Sequence, residues 1–140
     1  MFNFFAMKQE NNMKNMDWER LYDCAKKAVN PNKISEQICS GGVGAAVVSN
    51  KGNIYTSVCI DTDCSLGMCA ERNAISTMIT NGEFEVKMVV AVDKKGNVLP
   101  PCGACREFMM QLKNSQKTEV LIDNKGTLVK LKDLMPYSYS

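Results

Sequence analysis

Apolar positions change period along the chain, and the changes predict its elements. Trp18, Leu21, Tyr22, Ala25 and Ala28 recur at helical spacing behind Asp17, an N-cap residue type. That helix is expected to end near Asn30-Pro31, and Ser40-Gly41-Gly42 reads as a turn. VGAAVVSN (43–50) and NIYTSVCI (53–60) flank the turn residues 50-NKGN-53, which predicts a hairpin. The loop DTDCSLGM leads to a helix from about Cys69 to Thr80, closed by Asn81-Gly82. VKMVVAVD (86–93) has the continuous apolar run of a buried strand. A loop from Asn97 to Pro101 precedes a helix from Cys102 to about Leu112. EVLID and TLVKL form two further strands about an Asn-Lys-Gly turn, and LKDLM a short last helix before Pro136.

The order αββαβαββ, with helices between strands and two hairpins, predicts an α/β fold. The expected form is a three-layer α/β/α sandwich with a mixed five-stranded sheet. The 140 residues suit one domain, expected over 17–140, large enough to bury a core without disulfide staples. Residues 1–16, rich in Asn and Met, read as a flexible extension, with Met13 or Met16 as alternative starts.

Charge narrows the partners. The net charge is +2, and no basic run exceeds Lys26-Lys27 or Lys94-Lys95, so neither nucleic acid nor a membrane surface is demanded. No apolar stretch approaches the ~20 residues of a membrane span. Seven cysteines, an odd number, and no secretory leader lead to the expectation of a reducing cytoplasm with free or metal-bound thiols. There is no histidine, so a metal site must use Cys, Asp or Glu, and a general base must be something other than imidazole.

Against that background, CAERNAI (69–75) and CGACREF (102–108) stand out. Cys102 and Cys105 form a short pair, and Cys69 offers a distant third ligand at another helix start, where unpaired N–H groups favour a thiolate. Three protein ligands with one open position is the layout of a catalytic zinc. Glu71 lies two residues after Cys69, placed to share the pocket without being a ligand and to move protons of a water. Three thiolates and Zn²⁺ carry net negative charge, which opposes ionisation of that water; the helix ends and Arg72 can offset it. Other readings of the cysteines stand beside this one. A lone Cys-x-x-Cys is often redox-active, and Cys59 or Cys64 is available to close a structural four-cysteine site. Cys24 and Cys39 read as ordinary buried or half-buried thiols.

Cys69-Ala70-Glu71 together with Pro101-Cys102-Gly103-Ala104-Cys105-Arg106 resembles the zinc-dependent cytidine deaminases, over roughly residues 17–139. Cysteine as the first ligand is similar to the free-nucleoside branch. The resemblance implies water attack on C4 of a cytosine ring, with Glu71 serving the water, N3 and the departing ammonia. It implies that the Ala70 N–H meets the base carbonyl and that the Pro100 carbonyl meets the 4-amino group. It also implies a homotetramer with sites completed by neighbouring chains, and a place in pyrimidine salvage.

The sugar side departs from the family pattern. Ser40 stands where Asn is common, Gly41 replaces an aromatic, and Cys59-Ile60-Asp61 replaces an Asn-x-Glu, leaving Asp61 one methylene short. Tyr139 replaces a usual Phe, as in the blasticidin-S deaminases. The substrate is therefore expected to be cytidine or deoxycytidine. The alternatives are a modified cytosine nucleoside such as blasticidin S or another small amino-heterocycle, or, in another class, an inactive nucleoside-binding or structural zinc protein. Asp61 and Tyr139 also have bland readings, as a solvated loop carboxylate and a tail aromatic, and Trp18 and Tyr22 as helix packing.

Overall fold

A computed structural model describes residues 18–139. The expected extension 1–16 and the Asp17 cap lie outside the described residues. The elements are α1 (Trp18–Ala28), β1 (Asn32–Lys33), β2 (Ile38–Ser49), β3 (Ile54–Thr62), α2 (Ala70–Thr80), β4 (Val86–Asp93), α3 (Gly103–Met110), a 3-10 turn (Ser115–Lys117), β5 (Glu119–Leu121), β6 (Leu128–Lys130) and α4 (Leu131–Leu134).

The sheet is mixed. β2 pairs antiparallel with β3 on one side and with β4 on the other; β4 pairs parallel with β5, and β5 antiparallel with β6. The five expected strands are all present, and a sixth, the two-residue β1, adds to the start of β2 through Asn32↔Ser40 and Lys33↔Cys39. The predicted turn at Ser40-Gly41-Gly42 is instead a bulge inside β2, where pairing with β3 shifts register between Ser40 and Gly44. Gly41 takes φ +81 there, a conformation glycine adopts without strain. A turn residue type therefore served to bend a strand.

Alternation along β2 builds the two cores. Ala45 and Val47 face one layer with Ala74, Ile75 and Met78 of α2, Cys105 and Met109 of α3, and Leu131 of α4. Ala46 and Val48 face the other with Leu21 and Ala25 of α1 and Met88, Val90 and Val92 of β4. A second register shift, from Val48↔Met88 to Ser49↔Val86, returns Val86 to the first face beside Val89 and Ala91. Helices thus cover both sheet faces, α2 and α3 lying together on one. Both of these helices follow directly from strand-to-helix connections, so their N-termini meet at one edge of the sandwich.

Candidate active site

Cys69 is the N-cap of α2 and Cys102 the N-cap of α3; both have extended backbones, and neither thiol caps its helix. The helices therefore begin one residue later than the periodicity predicts, and both sulfurs are left to face outward. Cys105 projects from the first turn of α3 and is buried. The three sulfurs lie within 4.8 Å of one another, with Cys69 and Cys102 Sγ 3.5 Å apart.

Glu71 is 6% exposed, and Cys105 Sγ donates to its Oε2 at 3.7 Å. Burial raises its carboxyl above the ordinary value, against opposing pulls from its own backbone N–H, Cys105 and Arg72. Burial also raises the Cys69 thiol, with Cys102 adding to it. The Cys105 thiol is pushed up by burial and by the neighbouring Glu71 charge. Burial acts against the Cys102 thiolate too, but the backbone N–H groups of Cys105 and Ala104, with the neighbouring thiols, hold it below the ordinary value. Arg72 faces Cys69 and Cys105; burial would lower its pKa, yet these thiols raise it overall. Its Nε is buried with no hydrogen-bond partner among the described residues.

This is a cluster whose charges ask for a cation. Three thiols so close cannot all ionise against one another unless a divalent ion sits between them, and an all-sulfur donor set with room for a fourth partner suits zinc. Neither Cys59 nor Cys64 belongs to the cluster among the described residues. Cys59 is buried, accepts the Val43 N–H at 3.3 Å and contacts Asp61 Oδ2 at 3.6 Å; Cys64 is exposed in the loop before α2. Cys39, expected to be at least half-buried, is exposed, because the bulge leaves the start of β2 at the surface.

A cavity of about 740 Å³ opens on the cluster. Cys69, Ala70, Glu71, Cys102, Pro100 and Asp61 all line it, while Ser40 and Tyr139 do not. Ser40 is half-buried between Asn32 and Ile60 in the sheet, and Tyr139 is 90% exposed near the chain end. The cavity also takes in Cys59, read from sequence as the residue in place of the family's Asn, and Lys94, Lys95 and Asn97, which the motif reading left out. Their signal was positional: 93-DKKGN-97 ends β4 just ahead of Pro100. Arg106 was likewise read only as part of a motif. It donates from Nε to the Pro101 carbonyl at 2.7 Å and from Nη1 to the Leu134 carbonyl at 3.2 Å, tying the turn before Cys102 to α4.

The chain has no imidazole, and Glu71 is the buried carboxylate at the thiols. A metal next to such a group is arranged to activate water rather than to carry electrons. The class is a metal-dependent hydrolase. Residues 17–121 match the family model described as the cytidine and deoxycytidylate deaminase zinc-binding region, and the chain belongs to that family of zinc-dependent hydrolases. A probable cytidine deaminase of Dictyostelium discoideum is 35% identical over 96 residues, which span 66% of this chain and 65% of that protein. A blasticidin-S deaminase of Bacillus cereus is 33% identical over 109 residues, 70% of this chain and 76% of that protein. Among solved structures, the cytidine deaminase of Mycobacterium tuberculosis has a TM-score of 0.75 at 25% identity and covers 90% of this chain and 99% of its own.

Proposed function

We propose that this protein hydrolytically deaminates cytidine or deoxycytidine, releasing ammonia. The observation that carries the reading is the placement of Glu71, buried at the floor of the cavity and in contact with Cys105 of the thiol cluster. Cys69, Cys102 and Cys105 would hold zinc, which when bound supplies Lewis-acid activation of water. Glu71 takes the water's proton and delivers it to N3 of the ring as C4 is attacked, then serves the departing amine. Burial raises its pKa above the ordinary carboxylate value, the direction that suits a group which must give a proton as well as accept one. The Ala70 N–H at the start of α2 would orient the base carbonyl, and the Pro100 carbonyl the 4-amino group. Proline keeps a carbonyl acceptor while offering no competing N–H. Arg72 balances the thiolate charge. Asp61 remains as the sugar's acceptor on the cavity wall.

A second substrate, blasticidin S, is favoured by the absence of Ser40, the stand-in for the family's sugar-side Asn, from the cavity wall, and a blasticidin-S deaminase is among the relatives. We further propose a cytoplasmic homotetramer acting in pyrimidine salvage. Met78 and Met109 are consumed by the core, but Ile79 and Phe108 remain exposed at 38% and 36% on the two motif helices, with Leu66 at 77% beside the cavity. Sedimentation at micromolar concentration is expected to give four chains, and a monomer would remove this part of the proposal. The central test is ammonia release from cytidine, deoxycytidine, blasticidin S, cytosine and guanine. Turnover of a cytosine nucleoside is expected, and zinc-loaded protein inert toward all five would defeat the reading.

A further inference from the structure

Two prolines in a row precede Cys102. Pro100 and Pro101 have no N–H, so neither can fix its own peptide plane through a backbone donor. The chain ahead of them is pinned. Asn124 Oδ1 accepts the Val98 N–H at 2.9 Å, Asn124 Nδ2 donates to the Gly96 carbonyl at 2.8 Å, and the Leu99 N–H donates to the Ala91 carbonyl at 2.9 Å. The chain after them enters α3 at Gly103. Between these fixed points only the carbonyls of the two prolines can take part in hydrogen bonding from their own backbone.

The two carbonyls are used differently. Pro101 is buried, and its carbonyl accepts from Arg106 Nε at 2.7 Å. Pro100 is exposed and lines the cavity, and its carbonyl accepts no hydrogen bond among the described residues. Arg106 is itself anchored, because its Nη1 donates to the Leu134 carbonyl at 3.2 Å, at the end of α4. That helix is held in turn by fully buried Leu131, whose N–H donates to the Thr118 carbonyl at 2.9 Å. A planar guanidinium that spans two carbonyls from two of its nitrogens sets where the Pro101 oxygen lies. The peptide planes carrying the Pro100 and Pro101 carbonyls meet at the Pro101 Cα. The ring of Pro101 locks φ there, and the bond from Arg106 fixes the remaining torsion, ψ. With both set, the Pro100 carbonyl has one orientation.

Resting on the deaminase reading above, we propose that Arg106 is a positioning residue for recognition of the base. By holding the Pro101 carbonyl it aims the Pro100 carbonyl at the 4-amino group of the cytosine ring. Arg106 touches no reacting atom. It decides which of two neighbouring proline carbonyls is left for the ligand.

The test reads the contact with the amine by itself. Calorimetry on the full zinc-loaded chain in a Glu71→Gln background, where the nucleoside binds without turnover, compares cytidine with pyrimidin-2-one riboside, the same nucleoside with hydrogen in place of the amine. With Arg106 present, cytidine is expected to bind at least about threefold tighter, the scale of one net hydrogen bond. In Arg106→Ala, and in Arg106→Lys, which keeps the charge without the planar fork, that ratio is expected to fall to about one. Affinity for the compound lacking the amine should change by less than about twofold, since it makes no use of the Pro100 carbonyl. A merely structural role would weaken both compounds together. A preference kept in either zinc-loaded variant overturns the assignment. So does a preference below about threefold with Arg106 in place, or loss of zinc by both variants. If neither nucleoside binds while Arg106 is present, the deaminase reading itself falls and takes the assignment with it.

Discussion

Glu71 joins two demands in one side chain, since it must be buried to be poised and must still reach the cavity. The first turn of α2 meets both, because Ala70 and Glu71 are buried while the helix end opens on the cavity. Glu71→Gln keeps size and shape but cannot accept a proton. Ammonia release should fall by more than ~10³-fold, with zinc content and folding retained. Near-normal turnover in that variant would assign the proton transfers elsewhere. Glu71 and the three cysteines were legible from sequence because spacing alone placed them at helix starts. Lys94 and Lys95 were not. Side-by-side lysines are ordinary surface residues until the sheet register sets their turn beside Pro100. Tyr139 lies off the cavity wall of its own chain and is largely exposed.

At the level of elements, α2 is anchored at its far end by a buried carboxylate, Glu83. It accepts from Ser49 Oγ at 2.6 Å, from Asn53 Nδ2 at 3.0 Å and from the Tyr55 hydroxyl, joining the end of α2 to the β2–β3 hairpin. Burial alone would raise its pKa, but these three hydrogen bonds outweigh it and hold the carboxyl below the ordinary value. The folded state therefore favours the ionised form more than the unfolded chain does. Its contribution is full above the ordinary Glu pKa of ~4.3 and is lost as pH falls through the lower folded value. Urea unfolding should show stability declining below about pH 4, and Glu83→Gln should be less stable near neutrality with a flatter acid decline. An acid decline unchanged by the substitution would remove Glu83 as its source. The other face depends on a close approach: a Cβ on Gly44 would lie 2.3 Å from the Ala25 carbonyl oxygen and 3.0 Å from Val29 N. Gly44→Ala should push α1 from β2 and cost about 1–3 kcal/mol in denaturant titration. Element types and order were readable because their periods are clean. The bulge at Ser40 to Gly44 was not, since its glycines carry the same local signal as a turn and only pairing with β3 distinguishes the two.

Across the whole molecule, β4 sits at the centre of the sheet, between β2 and β5, and separates the two helix starts in sequence. The thiol cluster therefore exists only once the sheet has closed, and residues thirty-three positions apart then bring their sulfurs to 3.5 Å. That proximity gives the protein a chemistry of ageing. Without a cation between them, Cys69 and Cys102 are neighbours for oxidation, two thiols giving up two protons and two electrons to dissolved oxygen and closing a bond. Bound metal would then guard its own ligands, and a stripped molecule left in air would lose the capacity to be refilled. Chelation followed by aeration should remove two of the seven thiols from titration with a thiol reagent. Added zinc should bind poorly to that material until a reductant has reopened the pair. Chelated protein that retains all its thiols in air and reloads zinc unaided would show that the sulfurs are held apart by the fold itself.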